Sequence, residues 1–102
     1  EEVGIRGLQS ISGLEADIMH IVWENKTITV REVHELILKK ELIRRNNGFT
    51  PYTTIMSTMN SLAQKGFLKQ DTKAKTYVYS AALNDRELTK KIISTVAEKL
   101  LV

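Results

Sequence analysis

Apolar residues recur at helical spacing in four stretches of this chain, separated by short polar or β-branched segments. Leu14, Ile18, Ile21 and Val22 predict a first helix running to about Glu24. Ser12-Gly13-Leu14-Glu15 ahead of it has the spacing at which a serine and a glutamate satisfy each other's backbone donors. Asn25-Lys26 ends that helix, and Thr27-Ile28 reads as a short extended piece. Thr29-Val30-Arg31-Glu32 repeats the capping pattern before Val33, Leu36, Ile37 and Leu38, predicting a second helix to about Leu42. Arg44 to Gly48 is polar, contains Asn-Gly and reads as a loop. Thr50-Pro51 then predicts a third helix, with the Thr50 hydroxyl at the N-cap and Pro51 at the first helical position, where no N–H is needed. That helix continues to Lys65, and Gly66 is placed to stop it in a left-handed cap. Phe67 to Gln70 and Thr76 to Ser80 predict two strands joined by the polar turn Asp71 to Lys75, with Phe67, Leu68, Tyr77 and Val78 packing on the helices. Asn84 or Asp85 caps a last helix.

This order predicts a mainly α fold with a small β-hairpin: a winged helix-turn-helix (α-β-α-α-β-β) followed by a C-terminal helix. Residues 1–10, with two glycines and little periodicity, are expected to be a flexible arm. Residues 11–81 are expected to form the winged-helix domain, and residues 82–102 a C-terminal dimerisation helix. At 102 residues the chain has room for one modest core, so part of its apolar surface is expected to meet a partner.

The third helix points to a function. Tyr52, Ile55, Met56, Met59, Leu62 and Ala63 fall within an arc of roughly 120°, which predicts the buried stripe. The rest of its circumference is built from Thr53, Thr54, Ser57, Thr58, Asn60, Ser61, Gln64 and Lys65, with no acid. A solvated helix face ordinarily carries Glu and Lys in i,i+4 pairs. Short hydroxyl and amide side chains can instead donate to phosphate oxygens, hydrogen-bond base edges or pack on thymine methyl groups. Thr50, Thr53, Thr54, Ser57, Thr58 and Ser61 are therefore the candidate residues facing double-stranded DNA. Lys73 and Lys75 in the hairpin, and Arg31 at the start of the second helix, are candidate phosphate contacts.

Charge and composition narrow the alternatives. A formal net charge of +3 is compatible with nucleic acid but does not demand it. The absence of cysteine excludes disulfides, thiol catalysis and thiolate metal sites. His20 and His34 stand on different helices without metal-ligand spacing, and no Gly-rich phosphate loop or Ser/His/Asp arrangement stands out. Neither enzyme activity nor a metal or other cofactor is expected. No apolar run approaches a membrane span and no signal-peptide pattern opens the chain, so a cytoplasmic location is expected. The first residue is Glu1 rather than methionine, as a trimmed N-terminus would have.

Three stretches together carry a resemblance to a known family. They are Ile11-Ser12 through Glu15 with Ile21-Val22-Trp23-Glu24; Thr29-Val30-Arg31-Glu32-Val33; and Pro51-Tyr52-Thr53-Thr54-Ile55 running to Leu62-Ala63-Gln64-Lys65-Gly66-Phe67-Leu68. With Tyr77-Val78-Tyr79-Ser80, they make residues 11–82 resemble the penicillinase-repressor family, the relatives of BlaI, MecI and CopY. The resemblance implies a winged helix that dimerises through C-terminal helices and represses transcription from palindromic operators. It also implies that the third helix reads the DNA, with Thr53, Thr54, Ser57 and Thr58 at or near it. Family members often carry arginine where this chain has Ser61 and Lys75, and the copper-responsive branch carries a C-terminal cysteine cluster that is absent here. The β-lactam-responsive branch is switched by proteolysis, so a regulatory protease is among the partners that the resemblance implies.

Leu88, Ile92, Ile93, Val96, Ala97, Leu100 and Leu101 form a broad apolar face on the last helix. Such a face ordinarily marks an interface, and a homodimer matches a two-fold operator; Leu88, Ile92, Val96 and Leu100 are the candidate dimerisation residues. The helix reaches Val102 without a polar cap, as if its dimerisation region continued further. The alternative reading is a winged-helix module for protein–protein contact without specific DNA binding.

Overall fold

Three of the four helices begin at a side chain and a backbone that satisfy each other. The Glu15 N–H donates to the Ser12 hydroxyl (3.1 Å) and the Ser12 N–H to the Glu15 carboxylate (2.9 Å), starting α1 (Gly13–Glu24). Thr29 and Glu32 repeat the exchange (3.2 and 2.9 Å) ahead of α2 (Val30–Ile43). Asn84 and Glu87 do so (2.8 and 2.9 Å) ahead of α4 (Asp85–Leu101). Each exchange removes two of the donors a helix start would leave unpaired; the sequence spacing located the first two, and of the two caps it left open for the last helix Asn84 is the one used. The computed structural model describes residues 11–45 and 48–101; the expected arm at 1–10 and the Asn46-Asn47 part of the expected loop lie outside the described residues.

The third helix, α3 (Tyr52–Gln64), starts differently from its expectation. Pro51 occupies the N-cap and no side chain caps it. Thr50, expected at that position, is turned toward α2: its N–H donates to the Glu41 carboxylate at 2.9 Å, and its hydroxyl donates to the same carboxylate. Glu41 is buried, and a buried carboxylate must find donors. Thr50 supplies two of them, so its hydroxyl is committed before it can cap a helix.

At its other end α3 stops as expected. Lys65 is the C-cap and Gly66 takes φ +85°. The Gly66 N–H donates to the Ala63 carbonyl (3.1 Å) and the Phe67 N–H to the Leu62 carbonyl (2.9 Å), the two bonds of a Schellman cap. A Cβ on Gly66 would meet nothing closer than the Lys91 Nζ at 3.8 Å, so the obstacle to a side chain is the backbone conformation and not space. Gly66→Ala should therefore cost about 1–2 kcal/mol in urea unfolding with an unchanged m value. A cost near zero would mean that the left-handed cap is not needed to end α3.

The strands β1 (Ile28–Thr29), β2 (Leu68–Asp71) and β3 (Val78–Ala81) form one antiparallel sheet in the order β1-β3-β2. Tyr79 lies opposite Ile28 on one side and Gln70 on the other, so β3 ties the hairpin to the segment between α1 and α2. The core gathers Ile18, Met19, Ile21 and Val22 of α1, Val33 and Ile37 of α2, Ile55, Met59 and Leu62 of α3, Leu68, Tyr79 and Leu88. Two polar bonds support it. The Trp23 indole N–H donates to the Leu83 carbonyl (2.8 Å), joining α1 to the start of the C-terminal segment. The Gln70 amide donates to the Tyr79 hydroxyl (2.6 Å), giving a buried phenol its partner. This is the expected winged helix-turn-helix: α2 and α3 are the paired helices, β2 and β3 the wing, and α4 follows.

Tyr77 corrects one expectation. It was expected to pack on the helices, but it is exposed, and Tyr79 is the wing tyrosine that is buried. Adjacent strand residues alternate faces, so Tyr77 and Tyr79 share one only while the strand is regular; β3 begins at Val78, after Tyr77.

Candidate functional site

Helix α3 is buried along a narrower stripe than its periodicity predicts. Ile55, Met59 and Leu62 are fully buried, and Ala63 is half-buried. Tyr52 and Met56, both assigned to the buried stripe, are 44% and 45% exposed. Met56 lies at the edge of the apolar arc and Tyr52 in the first turn of the helix, both lining the side that faces the wing, where the neighbouring elements do not close over them.

The outward surface of α3 carries Tyr52, Thr53, Thr54, Met56, Ser57, Asn60 and Gln64. From Leu42 to Gln70 the chain has no acidic residue, so nothing on this helix or on the segments flanking it opposes a polyanion. Thr53 and Ser57 are exposed, one turn apart, while Thr58 and Ser61 are half-buried. The Ser57 and Thr58 hydroxyls donate to the Thr54 carbonyl (3.2 and 2.7 Å). With their protons so used, these oxygens keep only lone pairs to offer, which suits the amino groups of adenine and cytosine rather than phosphate. Thr50 stands apart from these residues. It is half-buried beside Glu41, and its carbonyl accepts from the His34 Nε2–H (3.0 Å), so both its donors and its carbonyl are engaged within the chain.

A groove of about 370 Å³ runs along the wing side of α3. Arg31, near the start of α2, lines it together with Lys75 from the wing, and Tyr52, Met56 and Tyr77 supply its apolar surface. Two of the three cations expected from the sequence are thus brought to one groove from elements far apart in the chain. Lys73 is exposed in the wing turn, where its N–H donates to the Asp71 carboxylate (3.0 Å), and it does not line the groove. Tyr52, Met56 and Tyr77 are the residues that sequence reasoning missed. The periodicity marks them as apolar, and only the placement of the wing leaves them open.

Two ion pairs lie nearby, one of which holds the helix. The Lys65 Nζ meets the Glu15 carboxylate at 2.9 Å, tying the end of α3 to the start of α1. Burial pushes the Glu15 carboxyl up, but the Ser12 N–H, the Lys65 ammonium and the Ser12 hydroxyl outweigh it and hold it below the ordinary glutamate range. Arg44 points to Asp17 of α1 (2.9 Å), away from the groove. His20 packs edge-on against Trp23 and His34 edge-on against Tyr52. Among the described residues no group of three or more His, Cys, Asp or Glu could hold a metal ion, and no helix is long and apolar enough to cross a membrane.

The four candidate dimerisation residues divide. Leu88 is buried in the chain's own core, and Ile92 is half-buried against it. Leu100 is 60% exposed, as is its neighbour by helical spacing Ile93 at 62%, and the Val96 side chain lies outside the described residues.

A family model described as the penicillinase repressor matches residues 11–102. The solution structure of the DNA-binding domain of the repressor BlaI matches with a TM-score of 0.62 at 20% identity, over 81% of this chain and 93% of that one, a likeness of fold. No curated protein matches the chain.

Proposed function

Because the chain belongs to the penicillinase repressor family, we propose that it represses transcription as a dimer bound to a palindromic operator. The observation that carries this reading is the acid-free outward face of α3 beside a groove walled by Arg31 and Lys75. In the proposed complex, α3 enters the major groove and Thr53 and Ser57 face the base edges. Thr54, Thr58 and Ser61 lie to the side of them, and Arg31, Lys73 and Lys75 meet phosphates. Thr50 contributes indirectly, by fixing where α3 begins. The solved DNA-binding domain of the repressor BlaI supports the same assignment for residues 11–81 by its fold.

Residues 82–102 are the dimerisation segment in this reading. Leu88 and Ile92 anchor α4 to its own domain, while Ile93, Ala97 and Leu100, exposed at i, i+4 and i+7, form the stripe that meets a second copy. A two-fold protein matches a two-fold operator.

The test is selection from a randomised duplex pool at physiological salt. The expected product is a two-fold motif with half-sites about one helical turn apart, bound with an affinity that falls steeply as salt rises. A single half-site would remove the dimer. No enrichment, with no binding even at low salt, would overturn the repressor reading and leave a winged-helix module for protein contact.

A further inference from the structure

We infer that Met56 reads sequence, its thioether packing on the 5-methyl group of one thymine per half-site. The inference rests on the DNA-binding reading above and names a contact within it. Met56 lies one turn after Tyr52 and directly before Ser57, on the flank of α3 that faces the wing. With Tyr52 at 44%, Met56 at 45% and Tyr77 at 48% exposure, three large apolar side chains from two elements open onto one groove. Apolar surface left in water is unfavourable, and a contiguous exposed patch ordinarily meets a partner.

The partner is constrained by charge. Arg31 and Lys75 line the same groove as this apolar strip, so whatever fills it offers negative charge beside an apolar group. Duplex DNA offers that combination in the major groove, where phosphates line both sides and the thymine methyl is the apolar group among polar base edges. A helix placing Thr53 and Ser57 on the base edges carries Met56 to the neighbouring bases on the wing side. The unbranched thioether has the rotamer freedom to follow a methyl group there.

Replacing thymines one at a time by deoxyuridine in the selected duplex removes the methyl group and nothing else. The expected result is one position per half-site where wild-type affinity falls about three- to fivefold, the change one buried methyl produces. Met56→Ala and Met56→Gln should bind the thymine and deoxyuridine duplexes alike, and Met56→Leu should keep the preference. Half-exposure of Met56 makes all three variants compatible with the fold, checked by their melting temperatures. Indifference of the wild type to every exchange, or an unchanged preference in Met56→Ala, would overturn the inference while leaving DNA binding intact. Absence of duplex binding by the wild type would overturn both.

Discussion

Ser57→Glu is expected to lower affinity for the selected duplex at least about thirtyfold, roughly 2 kcal/mol, while leaving the fold intact. Ser57 is exposed on the acid-free face of α3, one turn beyond Thr53. A carboxylate there replaces a small hydroxyl with a charge aimed at the base edges and between two phosphate rows. Both its repulsion and its desolvation oppose docking. The helix itself should tolerate the change, because glutamate has a better helix propensity than serine. Net charge is controlled by Ser94→Glu on α4, which is also exposed and alters the formal charge equally. If binding is measured by fluorescence anisotropy at one fixed salt concentration, the Ser94 variant should stay within about threefold of wild type. Equal losses for both variants would mean that total charge, and not the face of α3, governs binding.

The second large effect concerns stability. Ile55 is fully buried on the inner side of α3, in the same core as Met59 and Leu62. Ile55→Ala removes three carbons from a site where the surrounding elements can collapse only in part, at an expected cost of 2–5 kcal/mol, taken as about 3 kcal/mol. For a domain near this size that corresponds to a fall in melting temperature of about 10 °C or more, followed by circular dichroism. Met56→Ala, one residue along and half-exposed, should fall within about 0.5 kcal/mol of wild type. The contrast is the measurement: similar costs at both positions would mean that the boundary between the buried and open sides of α3 is misplaced. Well below its melting temperature, the Ile55 variant should still bind duplex, because none of its outward residues has changed.

The two expected outcomes follow from one division of α3, into a side that is buried and a side that is exposed. Its ends are held by separate devices. Glu41 and His34 secure Thr50 ahead of the helix, while Glu15 and Lys65 secure its end against α1. Lys91 of α4 lies over the Phe67 ring (5.4 Å from its centre) and donates to the Lys65 carbonyl (3.4 Å), so the C-terminal helix braces the same end. A helix held at both ends loses little freedom on docking, which favours a precise fit over an adaptive one.

Much of this was legible in the residues alone. The capping pairs of α1 and α2, the glycine that ends α3 and the two strands of the wing were placed by short-range rules. Each depends on groups within a few positions of one another, whose geometry the chain carries wherever it goes. The absence of acids on the outward face of α3 was visible for the same reason, and with it the reading as a DNA-facing helix. Local rules misplaced Thr50, Tyr52, Met56 and Tyr77, and each for a tertiary reason. Thr50 has the chemistry of a cap, but a buried carboxylate on the preceding helix competes for its donors and wins. Tyr52 and Met56 have the periodicity of core residues, yet burial requires a neighbour on that flank, and the wing stands off far enough to leave a groove. Tyr77 and Tyr79 differ in sequence by nothing that marks one as buried; the register of β3 against β1 and β2 does that. Periodicity states which residues can be covered, while the positions of other elements decide which are. That difference separates the core of this domain from the surface proposed to meet DNA.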